Sequence, residues 1–298
     1  MLLALTLVAD GPHGLAMASR LAAEAVAAAG GAVKAPTPLG PGALDWIVEG
    51  AERADVRAAV ESALAELPVD VCVQPAEGRK KRLLVADMDS TIIGCECIDE
   101  LADFAGLKAE ISAITERAMR GELDFEGALT ERVGMLKGMD TGALQRCYDE
   151  RVRLNPGAKT ATATMAANGA RCVLVSGGFE FFTSRVAEAA GFQAQRGNRL
   201  LEANGALTGE VGRPILGREA KLAALRQEAE ALGIGLDQTL AIGDGANDLA
   251  MIGAAGLGIA YRAKPVVAAE ADARIDHADL TALLYFQGYR AEEFAVRD

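Results

Sequence analysis

Asp87 and Asp89 lie at the end of Arg82-Leu83-Leu84-Val85-Ala86-Asp87-Met88-Asp89-Ser90-Thr91, where an apolar run breaks into two carboxylates and two hydroxyls. A run so short and apolar, with charge on both sides, predicts a fully buried strand. Alternate side chains of a strand share a face, so the two carboxylates lie together if the extended backbone continues that far. Neighbouring carboxylates repel unless a cation or a proton lies between them. The pair is therefore a candidate hard-metal site, or a nucleophile beside an acid/base group. A calcium loop does not fit: counting from Asp87, the sixth and twelfth positions are Ile92 and Ile98, where Gly and Glu are needed. Asp-x-Asp after a strand is also an ordinary turn or helix cap, so other residues have to decide.

Two further strand ends supply them. Ser176-Gly177-Gly178 offers a hydroxyl and exposed backbone N–H groups at a helix start, which suits a phosphate, although alone it is a common turn. Gly243-Asp244-Gly245-Ala246-Asn247-Asp248 superficially resembles a dinucleotide fingerprint. Its third glycine is replaced by Asp248, which would repel a pyrophosphate, and it follows a late strand, so that reading is rejected. No Walker A sequence occurs. Lys221, in the first turn of a helix beginning near Arg218, is by itself a solvated lysine.

The elements that must position these loops follow from periodicity and punctuation. Residues 1–76 read as βαββαβ, with strands over 2–8, 32–34, 43–48 and 69–73, an Ala-rich helix ending near Gly30-Gly31 and a second helix over 54–67. That order predicts a small ferredoxin-like sandwich. His13 stands alone as a turn residue. Residues 74–81, with Pro75, Gly78 and three consecutive basic residues, read as the linker, with 77–81 separating two domains. From about 95 to 153 the pattern is helical only, over 109–121, 125–138 and 141–153. A crossover needs only about a dozen residues, so this stretch is an inserted helical cap over the strand ends. Asn155-Pro156-Gly157 marks its exit. Helices over 158–168 and 179–190, strands over 171–175, 238–242 and 257–261, and a hairpin over 200–211 complete the pattern. The expected class is α/β: a doubly wound, mostly parallel sheet over 82–298 with a helical cap, plus an N-terminal α+β ferredoxin-like domain.

Composition narrows the function. The chain has 298 residues, enough for about two domains, and is 51% hydrophobic. A net charge of −12 disfavours nucleic acid and anionic membrane as partners, while leaving room for a compact basic site. The apolar N-terminus lacks a charged n-region and a cleavage site, so it reads as a first strand, and no run approaches membrane-spanning length. Five cysteines, an odd number without a framework, suit a reducing compartment and predict a cytoplasmic protein. Cys95-Glu96-Cys97 is too tight for a zinc pair and has no second pair, so it reads as two reduced buried thiols flanking Glu96.

Together, Asp87-Met88-Asp89-Ser90-Thr91, Ser176, Lys221 and the Gly243-to-Asp248 loop resemble the haloacid dehalogenase-like phosphatases, in order and in element, over about residues 82–290. Glu96-Cys97-Ile98-Asp99-Glu100, Glu131-Arg132-Val133 and Val175-Ser176-Gly177-Gly178-Phe179 bring the chain closer to the phosphoserine phosphatases of that family. The resemblance implies hydrolysis of O-phosphoserine to serine and phosphate, the last step of serine biosynthesis by the phosphorylated route. It makes Asp87 the nucleophile and Asp89 the general acid/base. Ser176, Gly177 and Lys221 would hold the phosphoryl oxygens. Mg²⁺ would be held by Asp87, the backbone carbonyl of Asp89 and Asp244, with Asn247 beside the substrate and Asp248 ordering the site. Glu96 would face the substrate ammonium and Arg132 its carboxylate, while Met119 and Phe125 of the cap shield the cleft. Without the resemblance, Arg132 is an exposed helix arginine pairing with Glu131 or Glu126. The N-terminal unit resembles an ACT domain by pattern alone, and a homodimer through it is a further expectation. Two other readings are an enzyme acting on a different small phosphomonoester and a catalytically idle amino-acid sensor. Glu96 with Arg132 disfavours the first, and the complete catalytic set disfavours the second.

Overall fold

The computed structural model describes residues 2–9, 14–119 and 122–295, without the side chains of residues 118 and 119. His13 and the Met119 side chain, both singled out in the sequence, lie outside the described residues.

The first part of the chain forms β1 (Leu3–Ala9), α1 (Leu15–Ala28), β2 (Ala32–Val33), β3 (Thr37–Gly40), β4 (Ala43–Glu49), α2 (Arg53–Ala63) and β5 (Val69–Pro75). β1 is antiparallel to β4 on one side and to β5 on the other, and both β2 and β3 pair with β4. β3 was not expected from its proline-rich sequence; among the described residues its only strand partner is β4, an edge setting that tolerates Pro38. Strand alternation sorts β1: Leu3, Leu5 and Leu7 pack in one core with Trp46, Val56 and Val60, whereas Val8 joins a second core with Cys72 and Phe286.

β6 (Leu83–Ala86) leads into the cap helices α3 (Cys97–Ala105), α4 (Lys108–Met119), α5 (Phe125–Met135) and α6 (Gly142–Arg151). α7 (Ala158–Ala167) returns the chain to β7 (Arg171–Phe179), followed by α8 (Glu180–Ala190) and β8 (Ala194–Asn198). The antiparallel hairpin β9 (Leu200–Ala203) and β10 (Ala206–Val211) abuts α5 and supports the cap. α9 (Arg218–Ala231), β11 (Thr239–Gly243), α10 (Leu249–Ala254), β12 (Leu257–Tyr261), α11 (Pro265–Glu270), β13 (Ala273–Ile275) and α12 (Ala282–Phe286) complete the fold.

β6 lies between β7 and β11, parallel to both, with β8 outside β7 and β12 and β13 outside β11. The chain leaves β6 on one side and returns on the other, which creates a crevice beyond its carboxyl end. Both faces of β6 are covered, as its unbroken apolar run requires. Leu84 and Ala86 share a core with Phe182 and Phe286, while Leu83 and Val85 share another with Leu225 and Met251.

The two parts meet along one sheet, because β13 is antiparallel to β5 at Ala273 and Cys72. Buried Asp70 of β5 accepts from the backbone N–H groups of Asp276 (2.8 Å), His277 (3.1 Å) and Ala278 (2.8 Å). Residues 74–81 are pinned: Gln74 Nε2 donates to the Phe286 carbonyl, and Arg79 pairs with Asp45 at 2.8 Å.

Candidate active site

Asp87 follows β6 directly, its N–H donating to the Ile242 carbonyl of β11. Beyond it Asp89 is extended, with a ψ of 138°, and the chain then turns at Ser90, whose φ of 54° is left-handed. This turn brings Asp89 against β7. Its Oδ2 accepts from Ser176 Oγ (3.1 Å) and its Oδ1 from the Cys97 N–H at the start of α3 (3.0 Å). Gly178 allows the approach, since a Cβ there would lie 2.8 Å from Asp89 Oδ2. The Gly178 N–H in turn donates to Ser176 Oγ at 2.8 Å, which fixes that hydroxyl.

Lys221 enters from α9, with only 2% of the residue exposed. Its Nζ lies 2.7 Å from Asp87 Oδ1 and 2.6 Å from Asp248 Oδ1. The second oxygen of Asp248 accepts from the Gly245 N–H at 3.0 Å, so this fully buried carboxylate orients both the lysine and the loop after β11. Burial opposes the charge on Lys221, but Asp87 and Asp248 outweigh it and hold its pKa above the ordinary value. Asp87 itself is pushed well above the carboxylate range, chiefly by burial and then by the charge of Asp248. Asp244 is raised for the same two reasons.

Oxygens of Asp87, Asp244 and Asp248 lie within 4.8 Å of one another. Three converging carboxylates against one ammonium leave a surplus of negative charge, and an all-oxygen set fits a hard divalent cation. The residues present therefore suit a metal. Asp248 joins Asp87 and Asp244 in this cluster, but its two oxygens are engaged by Lys221 and Gly245.

Asp87, Asp89 and Asp244 open into a cleft of ≈ 450 Å³ that Glu96, Arg132, Phe125, Ser176, Gly177 and Asn247 also line. Phe125 closes the cap side: a Cβ on Gly177 would meet its Cζ at 2.9 Å. Glu96 is open to the cleft and accepts from Ser90 Oγ at 2.7 Å. Desolvation by the surrounding protein, and then the charge of Asp89, push its carboxyl up to about 7. Asp89 is likewise raised, by burial, against the hydrogen bonds from Cys97 and Ser176. Arg132 does not pair with Glu131 or Glu126, which are taken by Arg117 and Arg213. Its Nε donates to the Ala128 carbonyl, and its charge feels Asp99 and Glu96 across the cleft.

The structure thus brings Asp87, Asp89, Glu96, Phe125, Arg132, Ser176, Gly177, Asn247 and Asp244 to one cleft, with Lys221 and Asp248 directly behind it. Three contributors had no role assigned from the sequence. Asp99 and Lys264 line the cleft, and Lys264 stands three residues beyond the end of β12. Asn198, 1% exposed, is the third, and no signal in the sequence marks it. Its Nδ2 donates to the Gly177 and Leu216 carbonyls and its Oδ1 accepts from the Leu216 N–H, so it ties the phosphate-type loop to the entrance of α9.

Comparison with known proteins agrees with this geometry. Residues 84–253 match the haloacid dehalogenase-like hydrolase family. A phosphoserine phosphatase of Polaromonas sp. is 46% identical over 208 residues, covering 68% of this chain and 88% of that protein. A phosphoserine phosphatase of Streptomyces coelicolor is 42% identical over 258 residues, covering 86% of this chain; the matched stretch spans 63% of that longer relative. Among solved structures, a phospho-aspartyl intermediate analogue of phosphoserine phosphatase superposes with a TM-score of 0.64 at 38% identity, over 70% of this chain and 99% of that one. The chain belongs to the haloacid dehalogenase-like hydrolases and, within them, to the phosphoserine phosphatases.

Proposed function

We propose that this chain hydrolyses O-phosphoserine to serine and inorganic phosphate, with Asp87 as covalent nucleophile and Mg²⁺ as its metal. The observation that carries the reading is that Glu96 and Arg132, opposite charges suited to an amino-acid zwitterion, open into the same cleft as the Asp87–Lys221 pair. The phosphoaspartyl analogue formed by a solved relative supports the same choice of nucleophile.

Asp87 Oδ1 is engaged by the Met88 N–H and by Lys221, which leaves the other oxygen to attack phosphorus. Asp87, Asp244 and the Asp89 carbonyl would hold Mg²⁺, which when bound offsets the repulsion between a carboxylate and a phosphate dianion. Ser176 Oγ, the Gly177 N–H and Lys221 steady the phosphoryl oxygens. As the Asp87–phosphorus bond forms, the bond to the serine oxygen breaks, and Asp89 gives that oxygen its proton. The raised pKa of Asp89 keeps the proton available. Asp89, now a carboxylate, then takes a proton from water as the water oxygen attacks phosphorus and frees Asp87. Phe125 would keep bulk water out during the first step.

The five cysteines are free, which supports a reducing, cytoplasmic setting. Among the described residues no helix is long and apolar enough to cross a membrane. One sheet face of the ACT-like unit at residues 1–76 is covered by this chain's own α12, so a homodimer through the unit would use its outer helices or its β2–β3 edge. The reading is tested by phosphate release from a panel of phosphomonoesters, with Mg²⁺ and with EDTA. Phosphoserine should be preferred and EDTA should abolish turnover. Equal rates on serine-like and aryl phosphates would remove the substrate assignment.

A further inference from the structure

The mouth of the cleft is rich in acids, and a cation held at Asp87 and Asp244 would answer only those at its floor. Asp87, Asp89, Glu96, Asp99 and Asp244 all line the cleft, while Lys221 is buried behind Asp87. The whole chain carries a net charge of −12. A phosphomonoester dianion approaching from solvent therefore meets an acidic mouth, and low-dielectric walls strengthen that repulsion. Arg132, on the cap wall, answers the substrate carboxylate in the proposed reading.

On the core wall stands Lys264, at the start of α11. Its backbone N–H donates to the Asp244 carbonyl at 3.2 Å, which fixes the residue beside the loop after β11. Its side chain is exposed and lines the cleft with Asp244, Gly245 and Asn247. Among the described residues no carboxylate forms an ion pair with its ammonium, whereas the cap residues Arg117 and Arg151 are both paired with acids. An unpaired rim cation in an acidic mouth acts on incoming charge at a distance. Being exposed, it is also open to screening by salt.

We propose that Lys264 is a further binding residue of this site: the entry cation that draws the dianionic phosphate along the core wall toward Asp87. The inference rests on the phosphomonoesterase reading, and the test separates the two. Wild-type enzyme that releases no phosphate from any phosphomonoester would sink that reading. The inference is judged on active enzyme. Lys264→Gln should lower kcat/KM for phosphoserine about three- to tenfold at low ionic strength, with most of the change in KM. Lys264→Glu should lose more, and Lys264→Arg should restore wild-type values. The deficit of Lys264→Gln should shrink as potassium chloride is raised to several Debye-shortening steps above the buffer, because screening removes what the charge contributes. Lys264→Gln within twofold of wild type at low salt would overturn the inference. So would a loss that persists at high salt or that Lys264→Arg fails to rescue, since either result marks a structural role at the start of α11.

Discussion

Glu96 and Arg132 carry the substrate assignment, so the chemistry and the specificity can be tested apart. With its carboxyl pushed up to about 7, Glu96 loses its charge as pH falls through that value, and with it the ability to pair with an ammonium. Thus kcat/KM for phosphoserine should fall on the acid side of about pH 7. An aryl phosphate, lacking the ammonium, should not show this limb, and Glu96→Gln should erase it. Matching pH profiles for the two substrates would refute the role given to Glu96. Arg132→Ala should lower kcat/KM for phosphoserine by about 2–5 kcal/mol, the range for breaking a desolvated charge pair, and should spare the aryl phosphate. At this scale the sequence was informative because Asp87, Ser176 and Asp244 sit at the ends of apolar runs. Lys264 was harder to read, since a lone charge on a loop looks like solvated surface until its neighbours are known.

The loops work only if the elements hold them, and Asn198 at the end of β8 illustrates this. It satisfies the Gly177 carbonyl and both backbone groups of Leu216, joining β7 to the start of α9, which carries Lys221. Asn198→Ala takes this partner from three part-buried backbone groups and should destabilise the fold by about 1–3 kcal/mol, while also lowering kcat. Urea denaturation and steady-state kinetics on the variant check both effects; unchanged stability would show that the tie is dispensable. β8 itself was invisible in the sequence: Ala194-Gln195-Arg196-Gly197-Asn198 has no apolar run, as expected of a half-exposed edge strand. β6, β11 and β12 were legible because each is buried on both faces. α3 is short, nine residues from Cys97 to Ala105, too few turns for its apolar period to stand out in the sequence.

At the scale of the whole molecule, the first 76 residues are joined to the catalytic sheet more closely than their sequence suggests. The β5–β13 pairing and the cap that Asp70 makes over residues 276–278 are long-range contacts, which local patterns do not report. Asp70→Ala removes the acceptor for three backbone N–H groups and should cost about 2–4 kcal/mol of stability, read as a lower denaturation midpoint. A midpoint equal to wild type would show that the two parts are energetically independent. Deleting residues 1–76 should cost more, because it uncovers Phe286 and the edge of β13.

The central claim is that phosphate passes through Asp87, and the most direct test is to look for it there. Enzyme mixed with phosphoserine and Mg²⁺, quenched in acid within one turnover and mapped by peptide mass spectrometry, should carry an acid-stable, hydroxylamine-sensitive phosphoryl group on Asp87. Asp87→Asn should show none and should lose at least roughly 10⁴-fold in kcat while remaining folded. Phosphate release by the Asn variant at near wild-type rate, or a burst of serine with no phosphoryl-enzyme, would contradict the account.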